Sequence, residues 1–267
     1  MNPDPSPAGR IRIVLVGTQH PGNIGSAARA LKTMGLQRLV LVAPQRYPHN
    51  EADMMAAGAE DVLAAALVCG TLAEAVADCR LVLGCTARSR RVQLEELPPR
   101  AAASRSLDVA HAGGEVALVF GRERTGLEND ELQLCHAAVH IPANPDYSSL
   151  NLAAAVQVLA YEVRVALLQE DVHAGDGLRD APGHEDPPAS HAQMEGLFGQ
   201  LADTLDAIDF HKGRAPDSAM RKLRRLFLRG GLDEREVRLL RGMLSDAQRM
   251  ARLAGQRGDG DPGTGHS

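Results

Sequence analysis

Aromatic residues are scarce in this 267-residue chain: there is no Trp, and three Tyr and four Phe bring the aromatic share to 3%. A sheet whose exposed rings stack successive bases is therefore excluded, and any RNA must be held mostly through charge and backbone groups. Long apolar runs are missing too. Those present are strand-sized, and the opening MNPDPSPAGR lacks the apolar core of a signal peptide, so the expectation is a soluble, cytoplasmic protein that enters no membrane. Cys69, Cys79, Cys85 and Cys135 form no CxxC pair and no zinc-like spacing with the ten His. Free thiols in a reducing compartment, and no metal site, follow from that spacing.

The residues that are present, 44% hydrophobic and 24% charged, suffice for one large domain or a medium domain with a small one. Residues 1–10 are Pro-rich and residues 254–267 Gly-rich, without an apolar face, and both are expected to be disordered. Between residues 11 and 168 the runs IRIVLV, RLVLV, RLVLGC and EVALVF alternate with Ala/Leu-rich helical stretches. Strands apolar almost throughout are those covered on both faces, so this part reads as an α/β domain with a mostly parallel sheet. Residues 169–190 carry acids, Gly and Pro but almost no large apolar residue, which marks a flexible acidic linker. Residues 191–253 show only helical spacing and read as a small all-α module of about three helices.

Three segments carry the chemistry. In GTQHPGNIGSAARALKTMG a strand ends at Val16 and a helix begins near Asn23 to Ser26. Such a turn is a ready anion site, suited to a phosphate-sized group, although plain strand-to-helix punctuation explains it equally well. It matches neither GxxxxGK[ST] nor GxGxxG, which removes the main support for a nucleotide-triphosphatase or a Rossmann dehydrogenase. In LVFGRERTGLEND a buried strand runs into Gly121, Arg122, Glu123, Arg124, Thr125 and Gly126; ligands collect at strand carboxyl ends, but a loop with Glu123 paired to Arg122 or Arg124 accounts for the same residues. In IPANPDYSSLNLAAAVQV two prolines fix an extended loop and Ser148 or Ser149 caps a long helix, leaving Asn151 unexplained inside its first turn.

In this order and spacing, GNIGSAARALKTMG, FGRERTGL and IPANPDYSSLNLAAAVQV resemble the three signature motifs of the SpoU/TrmH group of SPOUT RNA 2'-O-ribose methyltransferases. Within that group the pattern, with AAGAEDV and CTARSR, is similar to the TrmJ type, which acts on the pyrimidine at position 32 of the tRNA anticodon loop. The resemblance runs almost continuously from residue 11 to 168. It implies a C-terminal trefoil knot, S-adenosylmethionine bent into it, and a homodimer acting on tRNA without a metal. By the same resemblance Cys85, Thr86, Ala87, Gly121, Ile141, Ser148, Ser149 and Leu150 line the methyl donor. Asn23, Arg29, Glu123, Ser149 and Asn151 match catalytic positions, and Arg90 an RNA contact.

Since a guanidinium holds its proton at any working pH, Arg29 suits gripping a phosphate and stabilising an alkoxide better than acting as a base. Glu123 would then orient Arg29 or a neighbour. Residues 1–168 have fifteen cations against seventeen acids, a poor attractor for a polyanion. In the helical module Lys212, Arg214, Arg221, Lys222, Arg224, Arg225 and Arg229 are opposed between 211 and 229 only by Asp217. They are the candidate tRNA contacts, with a solvated helix face as the simpler account. Two other functions share the pattern: a SpoU-type ribosomal RNA methyltransferase, and an RNA-binding SPOUT protein without turnover.

Overall fold

The computed structural model describes residues 6–87, 94–173, 186–212 and 216–258. The chain divides into two compact units, Met1–Gly183 and His184–Ser267.

The first unit is built on strands β1 (Ile11–Val16), β2 (Arg38–Val42), β3 (Leu67–Cys69), β4 (Cys79–Cys85), β5 (Glu95–Leu97), β6 (Glu115–Phe120) and β7 (Ala137–Val139). They form one sheet in the order β3-β2-β1-β6-β4-β7-β5, and every pairing between them is parallel. The four longest are the four apolar runs of the sequence. The other three have three residues each, too few for any hydrophobic period to show. Parallel neighbours need crossovers, and these carry helices α1 (Pro21–Thr33), α2 (Asn50–Ala56), α3 (Glu60–Ala64), α4 (Leu72–Val76), α5 (Pro99–His111) and α6 (Asn129–Gln133). Helix α7 (Leu152–His173) follows the last strand.

Side-chain size sorts the two faces of the sheet. Ile11, Ile13, Leu15, Leu39, Leu41, Leu118 and Phe120 face Leu31 of α1, Leu107 of α5 and Leu159 of α7. The alternate residues Val14, Val16, Val40, Val42, Ala117 and Val119 face the short helices α4 and α6 through Leu72, Val76 and Leu132. The apolar runs thus conceal a period of two in volume. At the amino end of the sheet Arg12, 5% exposed, donates to both oxygens of Asp78 at 2.7 and 2.6 Å and to Glu115 at 2.8 Å. The loops of interest lie at the opposite, carboxyl edge.

Several expectations change here: Pro7–Arg10, expected to be disordered, form a 3-10 helix, α7 runs to His173 into the segment expected as linker, and the last helix of the chain runs to Gly258 into the expected tail. Helix α1 starts at Pro21, before Asn23, because proline's fixed φ and missing N–H suit a first helical position. The apolar runs are also not all strand-sized: Leu152–Gln169 of α7 is long and apolar enough to cross a membrane by length and composition. In this fold Val156, Leu159, Ala160 and Val163 of that helix are core residues, while Tyr161 and Leu168 are exposed.

The second unit contains α8 (His191–Ala207), α9 (Pro216–Gly230) and α10 (Glu234–Gly258). Ser190 and Gln193 cap α8 reciprocally, and Met194, Leu197, Phe198 and Val237 form a small core that Phe227, Leu228 and Leu240 flank.

Helices α1 and α2 meet at Gly25, where a Cβ would lie 2.0 Å from the Ala52 carbonyl oxygen. Gly25→Ala should therefore cost about 1–3 kcal/mol in urea unfolding. Gly199→Ala, in α8 with open space around it, should instead stabilise by about 0.5–1 kcal/mol.

Candidate active site

Strand β6 ends at Phe120 and the chain folds back at once, Arg122 and Gly126 exchanging backbone hydrogen bonds of 3.2 and 2.8 Å. A Cβ on Gly121 would sit 2.1 Å from the Gly126 carbonyl carbon, so only glycine permits this turn. The fold-back directs Glu123 at the loop between β1 and α1. Its carboxylate accepts from the Gln19 N–H at 3.0 Å, the His20 N–H at 3.1 Å and Asn23 Nδ2 at 2.9 Å. Because α1 has no side-chain cap of its own, Glu123 supplies the negative charge that a helix N-terminus favours. The anion at this turn is thus the protein's own carboxylate, where the sequence had suggested a bound phosphate.

Burial works to raise the Glu123 pKa, but the bonds from Asn23, Gln19 and His20 outweigh it and hold the carboxyl below its ordinary 4.5. Glu123 is therefore ionised and its oxygens are engaged. It pairs with neither neighbouring arginine, nor with Arg29. Arg122 turns away to Glu131, 3.0 Å to each oxygen, and to Glu128 at 3.5 Å. Arg124 is exposed at the tip of the turn. Arg29 is exposed on α1, eight residues or about 12 Å along the helix from its start. No side-chain hydrogen bond joins it to Asn23, Glu123 or Asn151 among the described residues.

Asn151 is the N-cap of α7 and not a residue within its first turn. Its Oδ1 accepts from the Ala153 and Ala154 N–H groups at 2.9 and 3.4 Å. Asparagine is among the best caps, which leaves Ser148 and Ser149, the expected caps, in the loop before it. Asn151 Nδ2 donates to Asn23 Oδ1 at 3.1 Å. Asn23, Glu123 and Asn151, distant in sequence, are thereby joined in one chain of hydrogen bonds, with Ser149 two residues away.

Beside this chain a cavity of about 170 Å³ opens at the carboxyl ends of the neighbouring strands β6, β4 and β7. That is many times the room one water needs. Cys85, Thr86, Ala87, Gly121, Ile141, Ser148, Ser149 and Leu150 all line it, together with Phe120, Glu123, Arg124, Leu152 and Ala155. The lining fits S-adenosylmethionine: Ile141, Leu150 and Leu152 offer an apolar slot for a purine. Thr86, Ser148 and Ser149 bring hydroxyls, and the glycine turn presents bare backbone as a wall. Burial pushes the Cys85 thiol up to about 12, so this sulfur is a wall and not a nucleophile.

Arg90 and Arg214 lie outside the described residues. Lys212, Arg221 and Lys222 are exposed and Arg225 is partly so. Arg224 departs from the expected RNA-facing set: it pairs with Glu195, 3.0 Å through Nη1, and lies 4.6 Å from the centre of the Phe198 ring. A helix position that faces the module's core binds its cation there. Sequence reasoning missed the Gln19 and His20 amides, for which no side-chain signal exists, and Leu152 and Ala155, which look like ordinary helix residues.

A parallel α/β sheet with this cavity and these three segments defines a class, and comparison with known proteins agrees. The chain belongs to the SpoU rRNA Methylase family, which it matches over residues 10–161. Residues 192–256 match the C-terminal domain of the tRNA methyltransferase TrmJ. The chain is 47% identical over 245 residues to the tRNA (cytidine/uridine/adenosine-2'-O-)-methyltransferase TrmJ of Pseudomonas aeruginosa, covering 91% of this chain and 95% of that one. It is 48% identical to the tRNA (cytidine/uridine-2'-O-)-methyltransferase TrmJ of Yersinia pestis, covering 94% and 96%. The crystal structure of TrmJ from Z. mobilis superposes with a TM-score of 0.74 at 37% identity, covering 88% of this chain and 97% of that one.

A carboxyl with a depressed folded pKa keeps its bonds at neutral pH and loses them as pH falls through the folded value. The Gln19 and His20 amide resonances should accordingly titrate with a midpoint below 4.5. In Glu123→Gln that titration should vanish, as two-dimensional NMR would read.

Proposed function

We propose that this protein uses S-adenosylmethionine to methylate a ribose 2'-hydroxyl of tRNA, at the pyrimidine of position 32 in the anticodon loop. The observation that carries this reading is the union of two sites by one segment. Ser148, Ser149 and Leu150 line the cavity, and the next residue, Asn151, closes the chain to Asn23 and Glu123. A donor bound in the cavity and a ribose held by the amides would share one stretch of backbone. The names of the relatives support tRNA as the substrate, as does the match of the C-terminal unit. A ribosomal RNA substrate is the second reading, favoured by the family description alone.

When bound, S-adenosylmethionine supplies a methyl group already activated on a sulfonium, so the protein's tasks are positioning and charge stabilisation. Asn23, Ser149 and Asn151 orient the ribose. Glu123, its oxygens engaged, acts as a positioning residue. Arg29 grips the adjoining phosphate and steadies the developing alkoxide. The reading includes a homodimer in which one copy's Arg29 serves the other copy's site. Its support is that no side-chain hydrogen bond joins Arg29 to its own Asn23 to Asn151 chain among the described residues and that α7 exposes Tyr161 and Leu168. It includes a trefoil knot as well, with the support that β7 lies in the sheet between β4 and β5, both earlier in the sequence. Arg90 and the exposed cations of the helical unit contact tRNA phosphates. The enzyme works in the cytoplasm and needs no metal.

Mass-spectrometric mapping of 2'-O-methyl groups in tRNA and ribosomal RNA, before and after incubation with the protein and S-adenosylmethionine, tests the substrate. A new methyl at position 32 of tRNA is expected, and methylation of ribosomal RNA alone would overturn the reading. Chelator should leave turnover intact. Truncation after Gln169 should leave S-adenosylmethionine affinity nearly unchanged while weakening tRNA binding and flattening its dependence on salt. Equal tRNA affinity in the truncated protein would transfer the RNA contact to the sheet unit.

A further inference from the structure

The hydrogen bonds that join Glu123, Asn23 and Asn151 have a direction, and both ends of the chain impose it. An ionised carboxylate only accepts, so Asn23 must offer it Nδ2, at 2.9 Å, and turn Oδ1 towards Asn151. Asn151 answers with Nδ2 at 3.1 Å. Its own Oδ1 then meets the N-terminal amides of α7 at 2.9 and 3.4 Å, groups that only donate. Flipping either amide would set donor against donor and acceptor against acceptor, so the network itself assigns the orientation. Each Nδ2 carries a second hydrogen, and no acceptor takes either of them among the described residues. Asn151 is exposed and Asn23 half-buried, beside the cavity that Ser149 and Leu150 line.

We infer that Asn23 and Asn151 meet the substrate as a donor-only pair, held in that polarity by Glu123, which stabilises negative charge on the ribose 2'-oxygen and takes no proton from it. The inference rests on the reading of this protein as a ribose methyltransferase. In that reaction the 2'-oxygen bonds to the methyl carbon while the S–C bond breaks and leaves its electron pair on sulfur. The hydroxyl proton passes to water, because the carboxylate and both amide oxygens are already engaged. The amides thus do what an oxyanion hole does, and Glu123 keeps them turned the right way.

Asn151→Asp separates this role from helix capping. Aspartate caps a helix as well as asparagine, so the Ala153 and Ala154 amides keep their acceptor and α7 its start. What disappears is Nδ2, the donor to the ribose and to Asn23. Turnover on tRNA should fall about 10²- to 10³-fold at neutral pH, with S-adenosylmethionine affinity by calorimetry and the melting temperature close to wild type. Protonating the new carboxyl restores one O–H donor, so the deficit should shrink as pH is lowered from about 8 to about 5. Turnover within about threefold of wild type would overturn the inference, and so would a deficit of the same size at every pH. Wild-type protein that fails to methylate tRNA at all would instead remove the reading beneath it.

Discussion

The candidate site depends on one carboxylate lodged at the start of one helix. Glu123 reaches across from the carboxyl end of β6 to the Gln19 and His20 amides, the last before α1 begins. A helix that opens on proline has no capping side chain of its own, and the borrowed charge satisfies orphan N–H groups that would otherwise face solvent. Since the same carboxylate fixes Asn23, and Asn23 fixes Asn151, the loop after β1, the loop after β6 and the start of α7 are set relative to one another by a single ionised group.

That arrangement is possible only at the carboxyl edge of a parallel sheet. Strands β1, β6, β4 and β7 are neighbours there, so loops far apart in sequence emerge side by side, and the cavity occupies the gap among them. The opposite edge is closed by the Arg12 cluster with Asp78 and Glu115. Between the edges β1 and β2 turn Ile and Leu to the face that α1, α5 and α7 cover and Val to the face that α4 and α6 cover. Gly121 completes the design by letting backbone, with no side chain in the way, form the cavity wall.

Cations are sorted along the helical unit. The chain carries a net charge of -5, so attraction to a polyanion must come from local clusters. In the helical unit Arg224 is drawn inward to Glu195 and Phe198, whereas Arg221 and Lys222 on the same helix stay exposed. Amphipathic spacing thus keeps one cation for packing and leaves others for solvent or ligand.

The four long strands and the helical character of the C-terminal unit could be read from the sequence, and the family resemblance gave eight of the residues that line the cavity. Apolar runs, Ala/Leu-rich segments and glycine turns are local properties, and the ordered motifs added a family resemblance. The three short strands could not be read, because three residues carry no period. The partner of Glu123 was likewise hidden: the sequence offered Arg122, Arg124 and Arg29, while the groups that bind it are two backbone amides and an asparagine a hundred residues away. Asn151 was visible as a polar residue at a helix start, but its capping role, and with it the direction of its amide, was not. Sequence by itself determined which elements form and which residue types gather, since those follow from side-chain volume, polarity and backbone freedom along a short stretch. Only the tertiary structure decided which hydrogen-bond donor faces which acceptor. That choice depends on what the sheet brings within 3 Å, and contacts between segments a hundred residues apart leave no trace in local pattern.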